Sequence, residues 1–241
     1  MTRTAITLDN VSIGYSAGKR QRVVARALSA SVGGGRLTGM IGNNGTGKST
    51  LLKTLAAFIP PLGGDILIGG KEIGSLSPKD IASTIGIVLT EKTDTGNLTA
   101  EELVAMGRYP FTGFMGFLSD EDKRITSEAM SIVGIDDLRG RKIATLSDGE
   151  RQKVMIAKVI AQQTPVILLD EPTVYLDFGS KVELMKLLGR LAHDEDKTIL
   201  FSTHDLELAM RMCDDILLLD REKGLDSIDK TELGRWIRRF Y

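Results

Sequence analysis

The sequence has one cysteine, no long apolar run and almost no net charge, and each absence excludes a class of protein. Cys213 alone cannot form a disulfide within the chain, which suits a reducing compartment. No apolar run approaches the roughly 18 residues of a membrane-spanning helix, and the N-terminus lacks a hydrophobic signal-peptide stretch. We therefore expect any association with a membrane to depend on a partner.

The charged residues nearly cancel, because 31 Lys and Arg stand against 32 Asp and Glu, for a net charge of −1. This balance gives no attraction to nucleic acid or to an anionic membrane surface, so we expect no nucleic-acid partner. Hydrophobic residues make up 42% of the chain, an ordinary share for a globular protein. A length of 241 residues suffices for one large α/β domain or two small ones.

One glycine-rich stretch has the spacing of a phosphate-binding loop, in which two glycines five apart are followed by Lys and Ser. The glycines let backbone N–H groups turn towards a phosphate. Lys48 adds a positive charge for β- and γ-phosphates, and the Ser49 hydroxyl can bind Mg²⁺. The residues of this predicted loop are Gly42, Asn43, Asn44, Gly45, Thr46, Gly47, Lys48, Ser49 and Thr50.

The segments on either side of the loop support this interpretation. The apolar run Leu37–Ile41 predicts a buried strand, and apolar residues at helical spacing predict a helix over Ser49–Ile59 that Pro60 and Pro61 end. Such a helix points the positive end of its dipole at a bound anion. The context favours phosphate binding over the alternative, a glycine-rich turn that binds nothing.

Short strands and then capped helices are predicted before the middle of the chain. Strands are expected at Ala5–Leu8, Val11–Ile13 and Val24–Val32, and a hairpin at Asp65–Ile68 and Lys71–Ile73 around two glycines. From residue 99 to residue 163 helices dominate. Their capping boxes are predicted at Thr99 with Glu102, Ser119 with Asp122, and Ser147 with Glu150. We interpret this region as a helical insertion within an α/β fold.

An acidic pair ends the next predicted strand, Pro165–Asp170, whose apolar run suits burial on both faces of a parallel sheet. Adjacent carboxylates are costly in a dry core unless they meet a metal or a proton-transfer partner. Ligands of open α/β sheets bind outside the carboxyl ends of strands, where these acids are expected. Alternation along the strand would point Asp170 at Mg²⁺ and Glu171 at the γ-phosphate. The alternative is a solvated pair of acids.

The C-terminal part alternates helix and strand, with a helix at Val182–Leu191, a strand at Thr198–Ser202, a helix at Asp205–Cys213 and a last strand at Ile216–Leu219. His204 follows the strand that ends at Ser202, beside the strand ends that carry the acids and the phosphate loop. It is therefore a candidate catalytic residue, with a polar residue at a helix start as the alternative. His193 lies in a polar helix end and is expected to be solvated.

Together these motifs resemble those of an ABC-type ATPase subunit, over nearly the whole chain. In order they are the phosphate loop, Leu146–Glu150, Ile167–Thr173, Leu176 with Asp177, and Ser202–His204. A phosphate loop alone fits many NTPase families, and the signature motif Leu146–Glu150 inside a helical insert narrows the resemblance to this one. It implies an α/β fold of the P-loop NTPase type, with a RecA-like core, an antiparallel β subdomain and a helical insert carrying the signature motif.

The resemblance implies a single ABC ATPase domain over residues 1–241. Residues 1–94 and 164–225 would form the nucleotide-binding core with its β subdomain, and residues 95–163 the helical signature subdomain. Residues 226–241 match the family poorly. We interpret them as an atypical amphipathic tail containing Arg235, Trp236, Arg238 and Arg239.

The resemblance also implies roles at the nucleotide. Tyr15, which by itself would be a surface turn aromatic, would stack on the adenine of ATP. Lys48 and the phosphate loop would hold the phosphates, Glu171 would polarise the attacking water, and His204 would touch the γ-phosphate.

The signature motif is expected to act on a second copy of the chain. In a head-to-tail dimer, Ser147 and Gly149 would contact ATP bound by the opposing subunit, and Asp177 would lie in the loop linking the two sites. Asp148 replaces a usual glycine of the signature and adds negative charge near a phosphate. Neither half-site would be complete in one chain, so we expect weak ATPase activity from an isolated monomer.

Mg²⁺ is the implied metal, with Ser49 and Asp170 as ligands. The family usually has Gln at the end of the strand Ile85–Leu89, where it senses the metal, the water and the membrane partner. Here Thr90 takes that position and is assigned to the metal site, followed by Glu91. The sequence leaves open whether Thr90, Glu91 or a bridging water replaces the glutamine.

The partners implied are separate transmembrane permease subunits and, indirectly, a periplasmic or surface solute-binding protein. The chain would then lie at the cytoplasmic face of the cell membrane, held there by the permease. The segment Glu102–Pro110 resembles importers of iron-siderophore complexes, haem and cobalamin. Apolar residues of the insert would meet the permease, with internal packing as the alternative for each: Tyr109, Phe111, Phe114, Met115 and Phe117.

Two other functions compete with transport. A soluble ABC ATPase of DNA repair or translation would carry long coiled-coil inserts or tandem nucleotide domains, and this length allows neither. A small-molecule kinase with a phosphate loop would need an acceptor site, but neither the signature motif nor His204. The transported solute is selected elsewhere, by the permease and the binding protein.

Overall fold

The computed structural model describes residues 4–18, 20–90, 96–113, 116–229, 231 and 234. Ten strands and seven α-helices follow one another in these residues, together with single 3₁₀ turns such as Met106–Phe111. In chain order they are β1 (Thr4–Ala17), β2 (Arg20–Gly33), β3 (Leu37–Ile41), α1 (Lys48–Leu55), β4 (Gly63–Ile68), β5 (Lys71–Glu72), α2 (Pro78–Thr84), β6 (Ile85–Val88), α3 (Ala100–Ala105), α4 (Asp120–Val133), α5 (Asp148–Gln162), β7 (Val166–Asp170), α6 (Phe178–His193), β8 (Thr198–Ser202), α7 (Leu206–Met212), β9 (Asp215–Asp220) and β10 (Gly224–Ser227).

A six-stranded sheet in the order β10-β9-β3-β8-β7-β6 forms the centre of the fold. All its neighbouring pairs are parallel except β10 with β9. Every residue of β3, β7 and β8 is buried, as expected for parallel strands covered on both faces. The register places Asp170 opposite Ser202, and Ser202 opposite Met40. The carboxyl ends of these strands therefore meet at one edge, where α/β sheets bind ligands.

A four-stranded antiparallel sheet in the order β2-β1-β4-β5 forms a second layer. The predicted hairpin is confirmed, since Ile68 pairs with Lys71 around Gly69 and Gly70 at φ +57° and +79°, a turn that suits glycine. The two short strands predicted near the N-terminus are instead one strand, β1. A register shift after Leu8 accommodates Asn10, at φ +49°, whose N–H donates to Ser29 Oγ at 2.9 Å.

Helices α3, α4 and α5 form the predicted helical insert around an apolar cluster of their own, which includes Leu103, Ile125, Met130 and Val154. All three predicted capping boxes are present at their N-termini. They share one geometry, in which a Ser or Thr hydroxyl accepts an N–H three residues on and an acidic side chain accepts the cap residue's own N–H.

Some of the sequence-based boundaries differ from those of the structure. Helix α1 ends at Leu55 rather than Ile59, because the chain turns at Ala57, with φ +57°, before the prolines are reached. The last strand is β10, not β9, because the Asp220 carboxylate accepts two backbone N–H bonds and turns the chain back. Strand β10 buries Leu225 and extends into the segment assigned to the tail.

Some predictions fall on residues outside the described ranges, among them the charged and aromatic residues expected in the tail: Arg235, Trp236, Arg238 and Arg239. His193 is exposed, as expected, and its Nε2 lies 2.9 Å from an Asp214 carboxylate oxygen. Cys213 is buried. Among the described residues no helix is long and apolar enough to cross a membrane.

Candidate nucleotide-binding site

The predicted phosphate loop runs from β3 into α1, with glycine where the backbone leaves no room for a side chain. Gly47 is the N-cap of α1 at φ +110°, and a Cβ there would lie 2.7 Å from Val24 Cγ1. A Cβ at Gly42 would lie 2.4 Å from the carbonyl oxygen of Leu219. The spacing of the motif thus matches a loop packed tightly against β2 and β9.

Lys48 is buried at the start of α1 and its side chain hydrogen-bonds to the backbone of the phosphate loop. Its Nζ donates to the carbonyl oxygens of Gly42 at 2.7 Å and Asn43 at 3.3 Å. Burial lowers the pKa of Lys48, and the nearby carboxylates of Glu171 and Asp170 oppose that effect. The lysine therefore lies close to both predicted acids as well as to the loop.

A cavity of about 680 Å³ opens over the loop and is large enough for a nucleotide. Tyr15 forms part of its wall, 45% exposed, and lies in β1 rather than in a turn. Its hydroxyl is 3.4 Å from Thr50 Oγ1. The cavity residues from the loop and from the position after β7 are Asn44, Gly45, Gly47, Lys48, Ser49, Thr50 and Glu171.

Two arginines of this cavity have no counterpart among the sequence-based candidates. Arg22 lies opposite Tyr15 in the β1–β2 register, and Arg221 follows the end of β9. The Arg221 guanidinium donates to the carbonyl oxygen of Gly45 at 2.7 Å. No motif marks either residue, because strand pairing and the β9–β10 turn bring them to the site.

The acidic pair at the end of β7 is held by one hydroxyl. Ser202 Oγ donates to Asp170 Oδ1 at 2.6 Å and accepts the N–H of Glu171 at 2.9 Å. The Glu171 carboxylate lies 3.2 Å from His204 Nδ1. Strand alternation, which the sequence suggested, does not separate the two acids: β7 ends at Asp170, and Glu171 turns away at φ +48°.

Thr90 lies where the sequence placed it, at the end of β6 beside β7. Its hydroxyl donates to the backbone carbonyl oxygen of Asp170 at 2.9 Å. In this arrangement its proton is used within the protein, and the bond ties the end of β6 to the acidic pair. Glu91, the other candidate at this position, lies outside the described residues.

The residues assigned to Mg²⁺ fit such an ion when a nucleotide supplies further oxygens. Asp170 is a buried carboxylate and Ser49 an exposed hydroxyl at the start of α1. No group of three or more His, Cys, Asp or Glu side chains in the described ranges could hold a metal by itself. That is ordinary for Mg²⁺, which takes one or two protein ligands together with phosphate oxygens and water.

The predicted signature residues lie apart from this cavity. Ser147 Oγ caps α5 by accepting the N–H of Glu150, and a Cβ on Gly149 would lie 3.1 Å from the carbonyl oxygen of Tyr175. Asp177 caps α6 by accepting the N–H of Ser180 at 3.0 Å. None of Ser147, Gly149 and Asp177 lines the phosphate-loop cavity, and Ser147 is exposed.

The insert aromatics expected to face a partner are exposed where the structure describes them. Tyr109, Phe111 and Phe117 are 53%, 44% and 78% exposed. The Arg108 guanidinium lies 4.4 Å from the ring centre of Phe111. Phe114 and Met115 lie outside the described residues.

Comparison with known proteins agrees with the motifs. The sequence profile of the ABC transporter family matches residues 25–174, which include the phosphate loop, the signature motif and the acidic pair. The iron(3+)-hydroxamate import ATP-binding protein of Bacillus subtilis is 40% identical over 86% of this chain and 76% of its own length. The ferric enterobactin transport ATP-binding protein of Escherichia coli is 36% identical over 89% and 78%.

Solved structures agree with the fold. A dimeric bacterial ABC transporter cassette superposes with a TM-score of 0.81 at 26% identity, covering 93% of this chain and 99% of that one. The dimeric post-hydrolysis state of such a cassette, bound to ADP and phosphate, gives 0.82 at 25% identity over the same shares.

Proposed function

Because the chain belongs to the ABC transporter family, whose ATP-binding proteins are ATPases, we propose that it powers a membrane importer of iron-siderophore, haem or cobalamin-type substrates. The names of its relatives support this substrate class, as does the segment Glu102–Pro110. The observation that carries the proposal is the convergence of the phosphate loop, Lys48 and Glu171 on one cavity, with His204 Nδ1 3.2 Å from the Glu171 carboxylate.

Each of these groups has a part in ATP hydrolysis. The backbone N–H groups of the loop and Lys48 bind the phosphates, and Tyr15 offers its ring to the adenine. Glu171 orients the attacking water and accepts its proton, while His204 lies beside that carboxylate and reaches the γ-phosphate. Mg²⁺, held by Ser49 and Asp170, would neutralise charge on the β- and γ-phosphates.

A second copy of the chain completes the site in this proposal. Ser147, Gly149 and Asp177 lie outside their own chain's cavity, and Ser147 caps a fifteen-residue helix whose N-terminus favours an anion. A head-to-tail pair would bring that helix start to the ATP of the opposing chain. The dimeric cassettes among the similar structures support the pairing of two chains.

The permease is proposed to dock in a groove between α2 and α5, beside the exposed insert aromatics. This α2–α5 groove, about 520 Å³, is lined mainly by apolar side chains, among them Phe58, Ile81, Leu89 and Met155. Lys158 reaches into it, burial lowers the pKa of its ammonium, and no described acidic side chain pairs with it. Charge complementarity therefore favours an apolar permease segment that carries a carboxylate.

Docking of this kind would hold the chain at the cytoplasmic face of the membrane, with a solute-binding protein acting on the far side of the permease.

We expect the tagged chain to purify from detergent-solubilised membranes with a polytopic protein, and that protein to stimulate its ATPase activity. Hydrolysis of ATP without any phosphate acceptor would exclude a kinase. Lack of a membrane partner, with ATPase activity intact, would instead favour a soluble ABC ATPase.

Lys158 provides the specific check on the groove. Lys158→Glu should reduce permease-stimulated ATPase activity by roughly tenfold or more while leaving basal activity unchanged, because reversing a charge at an interface costs several kcal/mol. Lys153→Glu, on the same helix, is the matched control. Equal stimulation of both variants would contradict docking in the α2–α5 groove.

The solute class can be separated by reconstitution. The purified complex in proteoliposomes should accumulate one of ferric siderophore, haem or cobalamin in an ATP-dependent manner when its binding protein is added. Accumulation of none of the three would overturn the proposed substrate class without affecting the assignment as an ATPase.

A further inference from the structure

Ser202 is the point at which the two acidic residues of the site are joined. Its side chain is fully buried at the end of β8, and its hydroxyl makes two bonds at once. It donates to the Asp170 carboxylate at 2.6 Å and accepts the backbone N–H of Glu171 at 2.9 Å. A hydroxyl that donates and accepts together polarises both bonds and fixes both partners.

The second bond matters because of the backbone conformation of Glu171. Its φ of +48° lies in the left-handed region, which residues other than glycine seldom adopt without support from their surroundings. The N–H of Glu171 lies at the start of this turn and is anchored by Ser202. That anchoring aims the Glu171 carboxylate at His204 Nδ1, 3.2 Å away, instead of letting the chain continue as β7.

The first bond sets the rotamer of Asp170. The serine proton occupies one side of Oδ1 and leaves the other lone pairs of the carboxylate for another ligand. Thr90 holds only the backbone carbonyl of Asp170, so among the described residues Ser202 is the side chain that orients the carboxylate itself.

From these contacts we propose that Ser202 is a positioning residue for hydrolysis, whose single hydroxyl sets the direction of the Asp170 carboxylate and the turn that presents Glu171. The inference rests on the proposed ATPase function. It assigns to Ser202 no contact with the nucleotide: it acts through the two acids, one needed for the metal and the other for the water.

Thr38 supplies a matched control. It lies on the adjacent strand β3, opposite Leu200 of β8, and its hydroxyl is buried without a hydrogen-bond partner among the described residues. Thr38→Val therefore removes a buried hydroxyl from the same sheet while leaving both acids untouched. Ser202→Ala removes the hydroxyl that holds them.

The test compares Ser202→Ala and Thr38→Val with the unaltered chain. Binding of ATP in the presence of EDTA should be unchanged in both variants. In Ser202→Ala the affinity of the ATP complex for Mn²⁺, measured by electron paramagnetic resonance, and kcat should each fall roughly 10- to 100-fold, as for other residues that orient a metal ligand. The amide of Glu171 should also exchange faster in the nucleotide-free protein, while Thr38→Val behaves as the unaltered chain does.

Two conservative variants of Ser202 distinguish a positioning role of its hydroxyl from a packing role of its side chain. Ser202→Thr keeps a donor hydroxyl and should recover Mn²⁺ affinity and kcat, whereas Ser202→Cys, a weak donor, should not. This pair also serves if Ser202→Ala fails to fold. Equal behaviour of Thr and Cys, or of Ser202→Ala and Thr38→Val, would overturn the role of Ser202. Absence of hydrolysis in the unaltered chain and its membrane complex would instead overturn the proposed function.

Discussion

The proposed role of Glu171 depends on its backbone conformation. The chain turns at Glu171 in the left-handed region, directly after β7, and this turn places the carboxylate beside His204. Glu171→Gln keeps the size of the side chain but cannot accept a proton from water. We expect its hydrolysis rate to fall at least about 100-fold, the usual effect of a lost general base. Nucleotide binding should persist, so the variant should accumulate as an ATP-held dimer in size-exclusion chromatography.

Glu72→Gln, on the exposed strand β5, is the corresponding control and should hydrolyse ATP normally. Normal turnover by Glu171→Gln would remove Glu171 from the reaction and leave His204 without its proposed partner. Loss of both turnover and nucleotide binding would show a packing defect instead.

The residues that sequence reasoning located share one property, since their chemistry and their spacing are local. Lys48 and Ser49 follow glycines at fixed intervals, and Asp170 and Glu171 end an apolar run. Ser202 entered the sequence analysis only as part of the Ser202–His204 motif, without its contacts to the acids, and Arg221 did not enter it at all. Their roles depend on which strands are neighbours in the sheet, and residues more than thirty positions apart provide the contacts.

At the scale of elements, helix α4 contributes Asp122 to a buried ion pair with Arg108 of the insert. The Asp122 carboxylate accepts the hydroxyl of its cap, Ser119, at 2.6 Å and Arg108 Nε at 2.9 Å. Both side chains of the Arg108–Asp122 pair are about nine-tenths buried. Arg108 also donates to the carbonyl oxygen of Ala161 near the end of α5, so this pair joins the 3₁₀ turn Met106–Phe111 to two helices.

Removing the charge of Asp122 should therefore destabilise the insert. Asp122→Asn should lower the unfolding free energy by about 3 kcal/mol at neutral pH, because it leaves the Arg108 guanidinium buried without its counter-ion. Urea denaturation measures this loss. Asp120→Asn, fully exposed on the first turn of α4, should leave the midpoint of urea denaturation unchanged.

The same pair predicts a pH dependence. The Ser119 hydroxyl and then Arg108 hold the pKa of Asp122 below its usual value. The ionised Asp122 side chain therefore contributes its full stabilisation of the fold above its unfolded pKa, near 3.9. This stabilisation is lost as the pH falls through the lower pKa of the folded state. In Asp122→Asn the free energy of unfolding should no longer show this decrease at acid pH. If the decrease is the same in Asp122→Asn and in the unaltered chain, Asp122 is not its source.

The helix starts that carry capping boxes were predicted better than the end of α1. The capping boxes at Thr99, Ser119 and Ser147 combine two residue types at a fixed spacing, which a sequence displays directly. The end of α1 is set by a left-handed Ala57, a residue type that gives no sign of it. Strand β10 was missed for a similar reason, since a polar turn capped by Asp220 hides the hairpin.

At the scale of the whole molecule, the two kinds of site residue are separated. The phosphate loop and Glu171 line a cavity, whereas Ser147 and Asp177 begin helices outside it. Sequence motifs predicted both groups, and the resemblance implied that they act from opposite subunits. The structure places the loop between a strand of the central sheet and α1, and Ser147 at the start of α5 in the insert. In a head-to-tail pair each active site would take one group from each chain.

This arrangement predicts complementation between two inactive variants. Lys48→Ala damages the phosphate loop, and Ser147→Arg places a bulky side chain at the start of α5 at a capping cost of about 1 kcal/mol. In a mixed dimer both defects fall in one composite site, and the other site receives an intact loop from one chain and an intact helix start from the other. A mixture should therefore hydrolyse ATP faster than either variant alone, in a phosphate-release assay at concentrations that support dimers.

Mixing Lys48→Ala with Glu171→Gln is the control: both defects then belong to the loop side, every composite site contains one of them, and activity should stay absent. Activity in that control, or none in the first mixture when both proteins are folded, would mean that a single chain builds its whole site.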